Sequence, residues 1–289
     1  MAQLLLGKEV TASLNEEIRR KVAQLNGQGV TPKLGIVRIG EREDDISYER
    51  GATKRCETLG AAFEKFLLPA DASEEEVLKV IQAVNEDDSI HGVLLFRPLP
   101  RHLNEDKIVN ALAVEKDVDG ITDLSMASVF MGRGAGYAPC TPSACMRILD
   151  HYGIDCTGKK AVVIGRSLVV GKPAAMMLMG KNATVTVCHT KTVNTAEICK
   201  NADIIVSAAG VLNSLTADYV RPGQVVIDVS INWDENKPNA KGGKGAIAGD
   251  AKFDEVAAIV DAITPVPGGV GSVTTSVLMK HVVEAAERA

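Results

Sequence analysis

Residues 161–173 read AVVIGRSLVVGKP: a β-rich apolar run, a glycine turn and the start of a helix. A pyrophosphate needs such a place. Gly165 lets the backbone turn sharply, and the helix that follows offers free N–H groups and a partial positive charge at its N-terminus. The spacing is not G-x-G-x-x-G, so the run alone also fits a plain βα turn. The chain beyond it decides. A helix over 171–180, a strand ATVTVC, a helix over 195–201 and strands DIIVSAAG and QVVIDVSI follow in order. A last helix, over 273–288, comes after a Pro/Gly-rich turn. This alternation is the pattern of a mostly parallel sheet with helices on both faces. The second half of the chain therefore reads as a Rossmann-like dinucleotide-binding domain.

The choice of dinucleotide follows from the tip of the second strand. An NAD site carries an acid there to accept from the ribose 2′-OH. Here the tip reads VCHTKT, with His189, Thr190 and Lys191 and no carboxylate, and Arg166 adds a positive charge in the glycine turn. A 2′-phosphate suits these groups better than a bare hydroxyl, so NADP is favoured over NAD. His189 reads as part of this rim rather than as a catalytic base.

The first half alternates as well. Val10, Leu14, Ile18, Val22 and Leu25 recur at helical spacing, and Gly27 closes the segment. A strand over 33–40 precedes a helix from Asp45 to Leu59, with Gly60 as its stop. The strand AAFEKFLL follows, then Ser73 and Glu76 form a capping box that opens a helix to Asn85. HGVLLF is a strand and 104–113 a helix. The loop VEKDVDGIT and the glycine-rich MGRGAGYAPCTP break the rhythm. Thr141–Pro142 then reads as an N-cap and a proline at the first helical position, opening a helix to Tyr152. The expectation is an α/β protein of two domains: 1–139, joined by the C-terminal helix (270–289), and 140–269.

Composition bounds the function. A chain of 289 residues is comfortable for two domains, and 46% apolar with 24% charged residues is ordinary for a soluble protein. The net charge of −5 gives no overall basic field for nucleic acid. The basic clusters KRCET and KGGKG read as solvated surface. The opening MAQLLLGKEV is too short for a signal-peptide core or a membrane span. The six cysteines show no C-x-x-C and no zinc spacing, so they read as reduced, small and buried, with no metal site. A cytoplasmic protein is expected.

Three further stretches carry the functional reading: EKDVDG (115–120), PCTP (139–142) and ITPVPGGVGSVTT (263–275). Each alone is an unremarked loop. Taken in order with VVIGRSLVVGKP and GVLLFRPLP, they resemble the methylenetetrahydrofolate dehydrogenase/cyclohydrolase family, from the first helix to the last. The resemblance implies a homodimer of two-domain subunits, with folate in the cleft between domains and NADP on the Rossmann-like domain. Enzymes of that family oxidise 5,10-methylenetetrahydrofolate to the methenyl form and hydrolyse it to 10-formyltetrahydrofolate. Carried over by position, Asp119 accepts from the amino and ring N–H groups of the pterin, and Tyr48 stacks on the folate. Pro267, Gly268 and Gly271 shape the wall where pterin and nicotinamide meet. Gly165, Arg166, Ser167, Thr190 and Ile231 contact the cofactor. Without the resemblance, Asp119 reads as a turn-forming residue and Tyr48 as half-buried packing.

The chain also departs from the family. Where the family has Y-x-x-x-K, with the lysine central to hydrolysis, the position four residues after Tyr48 is Ala52. Lys54 lies two residues further, which turns a helix by roughly 200° and points it away. Arg55 is nearer that face, but a guanidinium stays protonated and shuttles protons poorly. The family's VQLPLP is LFRPLP here, so the glutamine that partners the lysine is Phe96. Ser272 stands where the family usually has proline after GGVG. The reading is a dehydrogenase with little or no cyclohydrolase activity. The alternatives are a silent folate- or dinucleotide-binding protein, and a bifunctional enzyme that uses another proton-transfer group. A dehydrogenase for a small hydroxyl substrate is a further rival, but its lysine–aspartate pair is not seen.

Overall fold

Short apolar runs that are buried on both faces can only be satisfied by a sheet with helices on either side. The computed structural model describes residues 2–238 and 243–289. It begins with β1 (Gln3–Leu4) and α1 (Gly7–Gly27). There follow β2 (Lys33–Ile39), α2 (Glu43–Leu59), β3 (Ala62–Leu68), α3 (Glu74–Glu86) and β4 (Gly92–Leu95). Strand β2 lies between β3 and β4, parallel to both. Val37, Val93 and Leu95 of this sheet share a core with Val77, Ile81 and Val84 of α3.

The helix boundaries follow local chemistry. Gly60 closes α2 in the left-handed region at φ 77°, donating its N–H to Cys56 and Glu57 carbonyls. The capping box forms: Ser73 Oγ accepts from the Glu76 N–H, and the Glu76 carboxylate accepts from the Ser73 N–H at 2.8 Å. Helix α4 (Glu105–Val109) is shorter than the expected 104–113: the Ala111 N–H is shared between the Lys107 and Ile108 carbonyls, and the Leu112 N–H turns back to Val109, three residues earlier. Helix α5 (Asp123–Met131) is an addition that the sequence reading passed over. Thr122 caps it, but Leu124, Phe130 and Met131 are exposed, so no apolar stripe announces it. Helix α6 (Cys140–His151) starts before Thr141, which corrects the expected cap. Pro142 is tolerated in the first turn, where amides have no partner within the helix.

The second half continues with β5 (Lys160–Ile164), α7 (Gly171–Gly180), β6 (Thr184–Cys188), α8 (Thr195–Lys200), β7 (Ile204–Ser207) and β8 (Val225–Asp228). An antiparallel hairpin, β9 (Asn232–Pro238) and β10 (Lys244–Ala248), was not expected, because its first strand is polar. The Trp233 ring covers Gly245 there; a Cβ at that glycine would lie 2.6 Å from the ring. Lys241 and Gly242 of KGGKG lie outside the described residues. The chain ends with α9 (Phe253–Ala257), β11 (Ala262–Ile263) and α10 (Thr274–Ala286). The large sheet runs β6-β5-β7-β8-β11-β1, every pair parallel.

The chain divides into two units: Met1–Thr11 with Thr141–Thr274, and Ala12–Cys140 with Thr275–Ala289. The first eleven residues, assigned by sequence to the first domain, belong instead with the larger sheet. There β1 pairs with β11, and Leu5 is fully buried. Among the described residues no helix is long and apolar enough to cross a membrane, and no group of side chains could hold a metal. All six cysteines are free and buried.

Candidate functional site

In the larger sheet β6 lies on one side of β5 and β7 on the other, so the loops leaving β5 and β7 diverge. Open parallel sheets bind ligands in the crevice that such a reversal leaves at the carboxyl ends of the strands. Gly165 ends β5 at φ 123°, and a Cβ there would lie 2.3 Å from the Ala208 carbonyl oxygen. Gly171 is equally closed: its Cβ would lie 2.3 Å from the Gly165 oxygen. Both positions exclude side chains, which lets backbone approach backbone and a ligand approach the turn. Ser167 Oγ accepts from the Val170 and Gly171 N–H groups at 3.1 and 3.4 Å, pinning the helix start. Around the crevice mouth Leu168, Val169, Val193, Val211 and Ile231 are exposed on the loops after β5, β6, β7 and β8. A glycine cradle with an apolar rim at the switch point fits a dinucleotide.

Past the end of β6, His189 Nδ1 accepts the Lys191 N–H at 3.1 Å. The His189 N–H donates to Thr192 Oγ1 at 2.9 Å. Thr190, Lys191 and Arg166 are exposed. The loop after β8 carries Ile231, and the loop of Pro267 and Gly268 leads to a 3-10 turn, Val270–Ser272. Gly268 takes φ 103°, and Gly271 packs on Ile231, 3.7 Å from its Cδ1 to an added Cβ. Ser272 closes the turn on the Gly269 carbonyl with both its N–H (3.2 Å) and its hydroxyl (2.7 Å). A proline there offers neither donor.

Two carboxylates that the sequence reading missed organise this region. Asp250 has no exposed surface, and six groups from the end of β7, the loops after β7 and β8 and the start of β9 donate to its carboxylate. Asp228, at the end of β8, accepts from the Asp250 and Ala251 N–H groups at 3.0 and 2.8 Å. Burial pushes its carboxyl up to about 6. An isolated aspartate just past a short strand gives no sequence signal; only the convergence of loops reveals it.

In the smaller unit the order β3-β2-β4 sets a second reversal between the ends of β2 and β4. Helix α2 follows β2 and carries Tyr48, half-buried, and Ala52, buried. Lys54 is exposed, as its rotation around the helix requires. Phe96 follows β4 and meets the Tyr48 ring edge-on, 5.9 Å between centroids. Glu49, next to Tyr48, is buried between Arg38 and Lys65, each 2.8 Å away. Burial opposes its charge, but Lys65 and Arg38 outweigh that and hold the carboxyl below its usual range.

The two aspartates of EKDVDG have different surroundings. Asp117 is fully buried and accepts from the Ile121 and Thr122 N–H groups at 2.9 and 2.8 Å, so it is the turn-forming residue. Asp119 is half-buried, with the Cys140 thiol as a hydrogen-bond partner. Burial pushes its carboxyl up to about 6; Asp117 adds to the rise, while Cys140 and Arg97 oppose it.

Fold and crevice together define a two-unit α/β protein with a dinucleotide-binding parallel sheet. Sequence comparison narrows this. Residues 5–119 match the catalytic-domain model of tetrahydrofolate dehydrogenase/cyclohydrolase, and residues 139–289 match its NAD(P)-binding domain. The bifunctional protein FolD of Carboxydothermus hydrogenoformans is 52% identical over 287 residues, covering 99% of this chain and 98% of that one. Among solved structures, the FolD dehydrogenase/cyclohydrolase of Campylobacter jejuni superposes with a TM-score of 0.93 at 37% identity, covering 100% and 99% of the two chains. The Trypanosoma brucei enzyme, solved with NADP cofactor and an inhibitor, gives 0.92 at 32%, covering 99% and 98%. The chain belongs to the tetrahydrofolate dehydrogenase/cyclohydrolase family.

Proposed function

We propose that this protein oxidises 5,10-methylenetetrahydrofolate to 5,10-methenyltetrahydrofolate with NADP⁺, and that it hydrolyses the product slowly or not at all. The observation that carries the second half is the pair of Ala52 and Phe96. A buried methyl and an aromatic ring packed on Tyr48 occupy the positions of the family's lysine and glutamine. Neither can move a proton.

The two steps depend differently on such groups. Loss of hydride from the methylene carbon is driven by the folate's own nitrogens, whose lone pairs stabilise the cation, so the protein's task is positioning. Tyr48 stacks on the folate, and Asp119, ionised, accepts from the pterin N–H groups. Gly165, Arg166, Ser167, Thr190 and Ile231 hold the cofactor, and Pro267, Gly268 and Gly271 form the wall on its nicotinamide side. When bound, NADP⁺ supplies the hydride acceptor. NADP is favoured by the cations Arg166 and Lys191 at a rim without a carboxylate, and by the cofactor in the trypanosomal relative. Hydrolysis, in contrast, needs water activation and proton transfer to a collapsing tetrahedral adduct, work for a general acid–base. In this unit Arg38 and Lys65 are committed to Glu49, and Lys54 is turned away.

The test follows NADPH and methenyl-folate together on purified protein, with spontaneous hydrolysis and NAD⁺ as controls. Methenyl-folate that accumulates in step with NADPH and decays at the control rate supports a one-step dehydrogenase. Faster clearance favours the second reading, a bifunctional enzyme like the relatives named so, with another group carrying the proton. Absence of saturable NADP⁺ reduction leaves a silent binding protein. A homodimer acting in the cytoplasm completes the proposal, the former checked by light scattering.

A further inference from the structure

We propose that Asp250 is a positioning residue for cofactor binding: its buried carboxylate gathers the loops after β7 and β8 into the wall of the crevice opposite the glycine turn. The inference rests on the reading of that crevice as the NADP site.

The geometry is unusually one-sided. From the loop after β7 come the Ala209, Gly210 and Val211 N–H groups, at 2.7, 3.3 and 2.9 Å, the Gly210 N–H being shared with Ser230 Oγ at 3.1 Å, and from the last residue of β7 comes the Ser207 hydroxyl at 3.1 Å. From the loop after β8 comes the Ser230 hydroxyl at 2.8 Å, and from the first residue of β9 the Asn232 amide at 3.1 Å. Consecutive backbone N–H groups facing one point form an anion-binding concavity. Here the anion is built in, delivered from the loop after β10. The same β7 loop supplies the Ala208 oxygen against which Gly165 packs without room for a Cβ. Asp250 therefore controls how closely the β7 loop approaches the glycine turn, and it sets Ile231 on the neighbouring loop. Its own position is fixed from below, since Asp228 holds the Asp250 and Ala251 N–H groups. The carboxylate itself is fully buried, so its loss or replacement cannot be made good by water at that point, and each donor taken from it leaves a buried acceptor less satisfied.

Trp233 is the only tryptophan and lies two residues beyond Ile231. Its emission overlaps NADPH absorption, so energy transfer reports binding without turnover. The variants are Asp250→Asn, which places an amide donor among donors, and Ser230→Ala, which removes one donor to the carboxylate and that hydroxyl's bond to the Gly210 N–H while keeping the carboxylate. Asp250→Asn is expected to raise the NADPH Kd and the NADP⁺ KM by about tenfold or more, with kcat at saturating NADP⁺ changed by less than about threefold. Ser230→Ala should raise the Kd by about threefold with little change in Tm. A purely structural role instead lowers Tm and the active fraction while the Kd of the folded protein stays at the wild-type value; that result overturns the inference. If Asp250→Asn does not fold, Ser230→Ala decides alone, and a wild-type Kd then overturns it. Wild-type protein that binds no NADPH overturns the cofactor reading and this inference with it, whereas tight wild-type binding with indifferent variants overturns only this inference.

Discussion

At the scale of single residues, two aspartates two positions apart do different work because one is spent on the backbone and the other is not. Asp117 satisfies two amides, while Asp119 keeps a half-buried carboxyl whose ordinary value of 3.8 is raised to about 6 by burial. In the proposed role Asp119 takes an N–H on each carboxyl oxygen, which only the ionised form can do. The folate KM should therefore be level above neutral pH and rise as pH falls through about 6; Asp119→Asn should weaken folate binding at every pH and abolish that limb. Stability takes the same sign from Asp119 and Asp228, both raised to about 6. Each binds its proton more tightly folded than unfolded. Their contribution is complete below the unfolded value and lost as pH rises through about 6, which urea melts across that window measure. At positions 52 and 96, the double change Ala52→Lys with Phe96→Gln should raise methenyl-folate hydrolysis toward the factor of about 10²–10⁴ that general acid–base catalysis supplies. Brisk hydrolysis by the unaltered protein would sink the idea.

At the scale of elements, the strand–turn–helix around Gly165 differs from an ordinary βα turn in what it excludes. Gly165→Ala would force a Cβ to within 2.3 Å of the Ala208 oxygen at φ 123°. The expected cost is about 1–3 kcal/mol of stability, together with a weakened NADPH Kd read from Trp233. The contrast is Ser73→Ala at the start of α3, where loss of the capping box should cost about 1 kcal/mol and leave NADPH binding alone. Both elements were legible in the sequence, because capping boxes and glycine turns are local chemistry. Helix α5 and the β9–β10 hairpin were not, because neither buries a periodic apolar face: Phe130 and Trp233 are 73% and 63% exposed.

At the scale of the whole molecule, the N-terminus shows how little position in the sequence says about position in the fold. Strand β1 completes the large sheet beside β11, and Leu5 is fully buried behind it. Leu5→Ala should cost about 2–5 kcal/mol, read as a lower urea midpoint of Trp233 emission, since that tryptophan belongs to the same unit. A change of equal size in folate affinity without that loss of stability would contradict the assignment.

The sequence alone determined the α/β class, most helices and strands and the family, and it put Ala52 and Phe96 at the positions on which the proposed loss of hydrolysis rests. Those features rest on apolar periodicity, on caps and turns, and on side-chain identities at motif positions, all of which act within a few residues. The tertiary structure decided where the first strand goes, which aspartate of EKDVDG is free of the backbone, and that Asp250 ties two loops together. The reason is physical: parallel pairing, burial of a carboxyl and convergence of donors on one anion join segments far apart in the chain, and no local pattern records them.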